Sequence, residues 1–133
     1  MSAETPYLDT PLLLYLLSAD SGKADVAEEL LRQGGIISVQ VLSEFTSVCS
    51  RKLKMSYGEI REILTTINMV LDVRDLKPTI HETALDIAER YGYSFYDSMI
   101  LAAAINAGCS LVHTEDFHSG QHIQDCLLIV NPF

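Results

Sequence analysis

Four carboxylates stand where a short apolar run gives way to a helix start or a loop. Asp9 follows Tyr7-Leu8, and Glu44 lies about one turn into the helix expected after Ile36 to Val39. Asp97 falls in the first turn of a helix beginning after Ser94, and Asp116 follows Leu111-Val112-His113. In an open α/β sheet, ligands bind beyond the carboxyl ends of the strands, so acids at these turns can face one another. Carboxylates converging within a few ångströms cannot all stay ionised alone, because like charges disfavour one another's charged form. A divalent cation relieves that conflict, and an all-oxygen donor set without histidine or thiolate selects magnesium or manganese over zinc. Such an ion keeps positions open for water and phosphate, which makes phosphoester hydrolysis the natural chemistry. Singly, each acid has an ordinary use: Asp9 and Asp97 as helix caps, Glu44 on a solvated helix face, Asp116 in an Asx-type turn. Only their joint placement points to a site.

The elements that must hold these acids alternate. Tyr7-Leu8 reads as a strand, and Thr10-Pro11 then opens a helix through Leu12 to Leu17. A helix is expected from about Gly22 to Gln33, stopped by Gly34-Gly35, and the β-branched run Ile36 to Val39 is a brief buried strand. Helical spacing returns to about Lys54 through Leu42, Phe45, Val48 and Cys49. Capping-box patterns at Ser56 to Glu59 and Thr79 to Glu82 predict helices over 57–68 and 80–91, with a strand at Met69 to Val73 between them. A helix over about 95–107 stops at Gly108. Two strand-like runs, Ser110 to His113 and Cys126 to Val130, flank the polar loop Thr114 to Gln121. The expected fold class is α/β: a small parallel-stranded sheet flanked by helices on both faces, in one domain over 1–133.

Composition limits the alternatives. With 48% hydrophobic and 20% charged residues, the 133-residue chain is too apolar for general disorder. Its longest apolar stretches, Leu12 to Leu17 and Met99 to Ile105, are too short to span a membrane. The start Met1 to Pro6 lacks a secretory pattern, so a cytoplasmic location is expected. Cys49, Cys109 and Cys126 form no C-x-x-C pair and are expected as buried small apolar residues. The net charge of −9 opposes broad electrostatic binding of nucleic acid. Residues 36–61 are the exception, with four basic and two acidic side chains. Arg51, Lys52 and Lys54 are therefore the candidates for phosphate contact, their plain alternative being a solvated helix end that favours the dipole.

The runs Tyr7 to Leu16, Val41 to Phe45, Ser94 to Ala104 and Leu111 to Asp116 together resemble the successive motifs of the PIN domain family, and most of all the VapC-type toxins of toxin–antitoxin modules. The resemblance implies a metal-dependent endoribonuclease in which Asp9, Glu44, Asp97 and Asp116 hold one or two Mg2+ or Mn2+ ions. It implies a water nucleophile and products bearing a 5′-phosphate and a 3′-hydroxyl. It also implies orienting roles for Thr10, Thr114 and Ser98, an antitoxin partner and a homodimer. The Thr-x-Asp pattern favours Asp116 over Glu115 as the fourth acid. One departure is Pro11, where the family commonly has asparagine; proline supplies no side-chain hydrogen bond. A catalytically degenerate PIN-like domain that binds protein or RNA is the second expectation, which Pro11 and the acidic surface favour.

Overall fold

The computed structural model describes residues 5–133; residues 1–4, which belong to the expected domain span and to the start lacking a secretory pattern, lie outside the described residues. β1 (Tyr7–Leu8) is fully buried and leads into α1 (Thr10–Leu14), where Pro11 sits in the first turn, a place that needs no backbone donor. The expected helix through Leu17 tightens into a 3-10 turn over Tyr15–Leu17. α2 (Ser21–Gln33) and β2 (Ile36–Ser38) follow, and Val39 already begins α3 (Val39–Arg51), three residues shorter at its end than expected. Then come α4 (Tyr57–Val70), β3 (Asp72–Arg74), α5 (Pro78–Tyr91), α6 (Phe95–Asn106), β4 (Leu111–His113), β5 (His122–Ile123) and β6 (Leu127–Val130).

The sheet order is β3-β2-β1-β4-β6-β5, parallel throughout except for the β5–β6 pair. The expected α/β class, with a small and mainly parallel sheet, is what the chain forms. From β1 the chain builds outward through β2 to β3, then returns to lay β4 on the other side of β1. That reversal places a crevice between the carboxyl ends of β1 and β4. It is closed at its base by the Asp9 amide donating to the His113 carbonyl at 3.1 Å. A single cluster of buried apolar residues, including Tyr7, Leu12, Ile37, Phe45, Leu101 and Ile129, runs through sheet and helices. α6 buries Ile100 to Ala104 all round, as a helix apolar on every side must. At Gly35 a Cβ would stand 2.9 Å from the Leu8 side chain, so a side chain there would press on β1.

Several boundaries differ from expectation for local reasons. The strand expected at Met69 to Val73 is displaced because α4 continues through Val70; Met69 is 82% exposed, so its apolar character is not a sign of burial. The capping box at Ser56 forms, with Glu59 N donating to Ser56 Oγ at 3.1 Å and Ser56 N to Glu59 Oε1 at 2.8 Å. The one expected at Thr79 does not: Pro78 takes the first turn of α5, Lys77 becomes the cap residue without a side-chain bond, and Thr79 lies inside the helix. β5 arises at the end of the expected polar loop as a two-residue partner of β6. Cys49 and Cys109 are buried, whereas Cys126 is exposed; all three thiols are free. Among the described residues no helix is long and apolar enough to cross a membrane.

Candidate active site

Each of the four acids is delivered by a different element. Asp9 caps α1, its Oδ1 accepting from Thr10 N at 2.7 Å, and it is 4% exposed. Glu44 projects from α3 one and a half turns after β2. Asp97 lies in the first turn of α6, where its amide donates to Ser94 Oγ at 3.2 Å. Asp116 follows β4. All four line one cavity of about 320 Å³, together with Thr10, Pro11 and Ser47. Among the described residues no lysine, arginine or histidine lines it.

Two threonines link the acids. Thr114, fully buried, donates from Oγ1 to Asp9 Oδ2 at 2.8 Å and accepts from the Asp116 amide at 3.1 Å, so one hydroxyl fixes both a carboxylate and the loop bearing another. Thr10 Oγ1 donates to Glu44 Oε1 at 2.6 Å, tying α1 to α3. Ser98 is also fully buried, but its Oγ has no hydrogen-bond partner among the described residues and it does not line the cavity.

Gln40 was not singled out from sequence, because a neutral amide carries no chemical signature. Its place four residues before Glu44 sets it on the same face of α3. There its Nε2 donates to Glu44 Oε2 at 3.1 Å and to the Tyr96 carbonyl at 3.0 Å, joining α3 to the turn that carries Asp97. Glu115 is drawn off in another direction. It accepts from the Tyr15 hydroxyl and faces Lys23 Nζ at 3.8 Å, while Lys23 donates to the Tyr15 hydroxyl at 3.1 Å. Lys23 also lies over the Tyr15 ring, whose edge meets Phe133. Asp116, not Glu115, is thereby left beside the cavity.

The electrostatics agree with a site short of positive charge. Burial pushes the Asp9 carboxyl up to about 7, the Thr114 and Thr10 hydrogen bonds pull it partly back, and the charges of Asp116 and Glu44 push it further up. Asp116 is also raised, first by partial burial and then by Glu115, Asp97 and Glu44. Hard oxygen donors in excess of local positive charge suit a divalent cation of the magnesium type. Among the described residues, however, no three acid, histidine or cysteine side chains are grouped closely enough to hold a metal ion by themselves. A magnesium-type ion keeps several of its own waters and takes only one or two carboxylates directly, so the four acids need not all touch it. Arg51, Lys52 and Lys54 are exposed and stand outside this cavity, at and beyond the end of α3.

Comparison with known proteins places this architecture. Residues 7–118 match the PIN domain. No curated protein matches the sequence significantly. Among solved structures, a toxin–antitoxin complex from Klebsiella pneumoniae superposes with a TM-score of 0.73 at 19% identity, covering 97% of this chain and 98% of that one. The sarcin-ricin loop cleaving toxin VapC20 of Mycobacterium tuberculosis gives 0.65 at 18% identity, over 81% and 87% of the two chains. VapBC2 of Rickettsia felis, bound to a DNA fragment from its promoter, gives 0.63 at 18% identity, over 84% and 88%. At these identities the structures speak for the fold, while the domain match covers most of the sequence and includes all four acids. The chain belongs to the PIN domain family.

Proposed function

We propose that this protein is a metal-dependent endoribonuclease and the toxin of a toxin–antitoxin pair. The observation that carries the reading is the meeting of Asp9, Glu44, Asp97 and Asp116, from four separate segments, around one cavity without a cationic side chain. These four would hold Mg2+ or Mn2+, and a bound ion at such a site supplies charge neutralisation and an activated water. The chain's own part is to orient. Thr114 and the Thr10 amide fix both oxygens of Asp9, and Thr10 and Gln40 fix those of Glu44. With the acids so placed, the site would direct a water oxygen to phosphorus in line with the P–O3′ bond, whose cleavage would leave a 5′-phosphate and a 3′-hydroxyl that takes a proton given up by the water. In the metal-free chain burial holds the Asp9 carboxyl up at about 7, so a cation bound there would displace its proton near neutral pH.

The toxin assignment draws on the toxin–antitoxin proteins that share the fold, and an antitoxin partner and a homodimer belong to the same proposal. Three free thiols suit the reducing cytoplasm. A second reading, a degenerate domain that binds without cutting, is favoured by Pro11, whose ring lines the cavity and offers no hydrogen bond. Cleavage of end-labelled RNA separates the two. Discrete products are expected with magnesium or manganese, none with a chelator, and at least about a 100-fold loss in Asp97→Asn. Cleavage that survives the chelator or the substitution contradicts the nuclease reading, and binding without cleavage supports the degenerate one.

A further inference from the structure

The acid cavity has a neighbour. A second depression of about 510 Å³ runs along α3, lined by Ser43, Thr46, Ser47, Ser50, Arg51 and Tyr57 among others. Ser47 belongs to the walls of both. We infer that this depression is the track for a single-stranded RNA flanking the scissile phosphate, with Arg51 and Ser47 on a backbone phosphate and Tyr57 stacked on a base. The inference rests on the ribonuclease reading for its substrate, but on different residues.

Charge supports it. Among the described residues the lining contains no acid, in contrast to the adjoining cavity, and it lies within residues 36–61, which carry four basic and two acidic side chains in this −9 chain. A polyanion entering the acid cavity needs a less repulsive approach, and this is where the chain provides one. Spacing supports it too. Arg51 is seven residues beyond Glu44, about 10 Å along the helix axis, close enough for one strand to touch both. Arg51 Nη1 donates to Ser47 Oγ at 3.3 Å, which holds the guanidinium at the junction of the two depressions. Lys52 and Lys54 follow directly.

Tyr57 supplies the second contact. Its side chain is 67% exposed although it opens a well-formed helix, and the Ser56–Glu59 capping box fixes the backbone that presents it. An exposed ring on a rigid mount beside a basic, hydroxyl-lined groove is a stacking platform for an unpaired base. The serine and threonine hydroxyls along the floor can exchange hydrogen bonds with phosphate oxygens and with the ribose 2′-hydroxyl, which DNA lacks.

Fluorescence anisotropy of a short labelled single-stranded RNA tests the track, using the full chain carrying Asp97→Asn as a parent whose cleavage is too slow to consume the probe during the measurement. Arg51→Gln in that parent is expected to weaken binding about 5- to 10-fold and to lower the salt slope by about one. Tyr57→Ala is expected to weaken it about 10-fold and Tyr57→Phe to leave it unchanged, because stacking needs the ring and not the hydroxyl. DNA of the same sequence is expected to bind more weakly. Parental affinity in both Arg51→Gln and Tyr57→Ala overturns the track, while leaving the nuclease reading intact if the unsubstituted chain still cleaves. The expected losses in a protein that never cleaves keep the track and remove the nuclease. A parent that binds no RNA, or a Tyr57→Ala variant that separates a dimer without changing RNA affinity, overturns the proposal.

Discussion

Asp9→Asn is expected to stabilise the metal-free protein at pH 8 while removing its response to divalent ions and its activity. The Asp9 carboxyl sits near 7 in the folded chain against 3.8 for an ordinary aspartate. The unfolded chain therefore loses this proton near pH 4 and the folded chain only near 7, so the folded state is penalised as pH rises across that window and stays penalised above it. At about 1.4 kcal/mol per unit, the shift sets a ceiling of about 4 kcal/mol, which structural relaxation reduces. Asparagine removes the charge and can still accept from the Thr10 amide. A gain of about 2 kcal/mol, or roughly 5–10 °C in Tm, is expected at pH 8, vanishing near pH 4. Metal should raise the Tm of the unsubstituted protein by binding its folded form and should release protons as Asp9 ionises. Paired melts of both proteins, with and without Mn2+, check these signs together. A variant less stable than its parent at pH 8 would show that Asp9 is held by its hydrogen bonds rather than strained by burial.

Thr114→Val should act in the opposite sense. The substitution keeps the shape but deletes a buried hydroxyl that donates to Asp9 and accepts from the amide of the more exposed Asp116. Losing these bonds is expected to cost about 2–3 kcal/mol. Cleavage should fall about 10- to 100-fold, as is usual when a residue orienting a metal ligand is lost. Without the Thr114 hydrogen bond, which favours the ionised form, Asp9 should hold its proton to higher pH. The rising limb of the pH–rate profile should then move upward, and Thr114→Ser should restore it. An unchanged profile in Thr114→Val would mean that the ionisation of Asp9 does not limit the reaction.

The contrast between these two positions shows what was legible in the sequence. The alternation of short strands and helices, with acids at strand ends, was sufficient for the α/β class, because parallel strands need helical crossovers and their carboxyl ends face one way. The edges of the sheet were not legible. Met69 and Val70 look like strand residues, yet nothing in their types reveals that α4 carries them outward into solvent. β5 is two residues long and exists only because β6 is beside it. Within the site, Asp9, Glu44, Asp97 and Asp116 were visible as charges at significant places, and Thr10 and Thr114 through the resemblance. Gln40 was hidden, since its value comes from meeting Tyr96, fifty-six residues away. Likewise, Asp116 stands free of the hydrogen bonds that occupy Glu115 because Tyr15 and Lys23 reach across from the N-terminal helices, a contact no local pattern encodes.

The central claim is that four carboxylates from four segments serve one divalent-metal site. Anomalous scattering from crystals of the protein soaked in Mn2+ tests it directly. The account predicts a manganese peak inside the cavity bounded by Asp9, Glu44, Asp97 and Asp116, joined to them directly or through ordered waters, and lost in Asp9→Asn. Manganese bound elsewhere, or a cavity still filled only by water at saturating Mn2+, would contradict it.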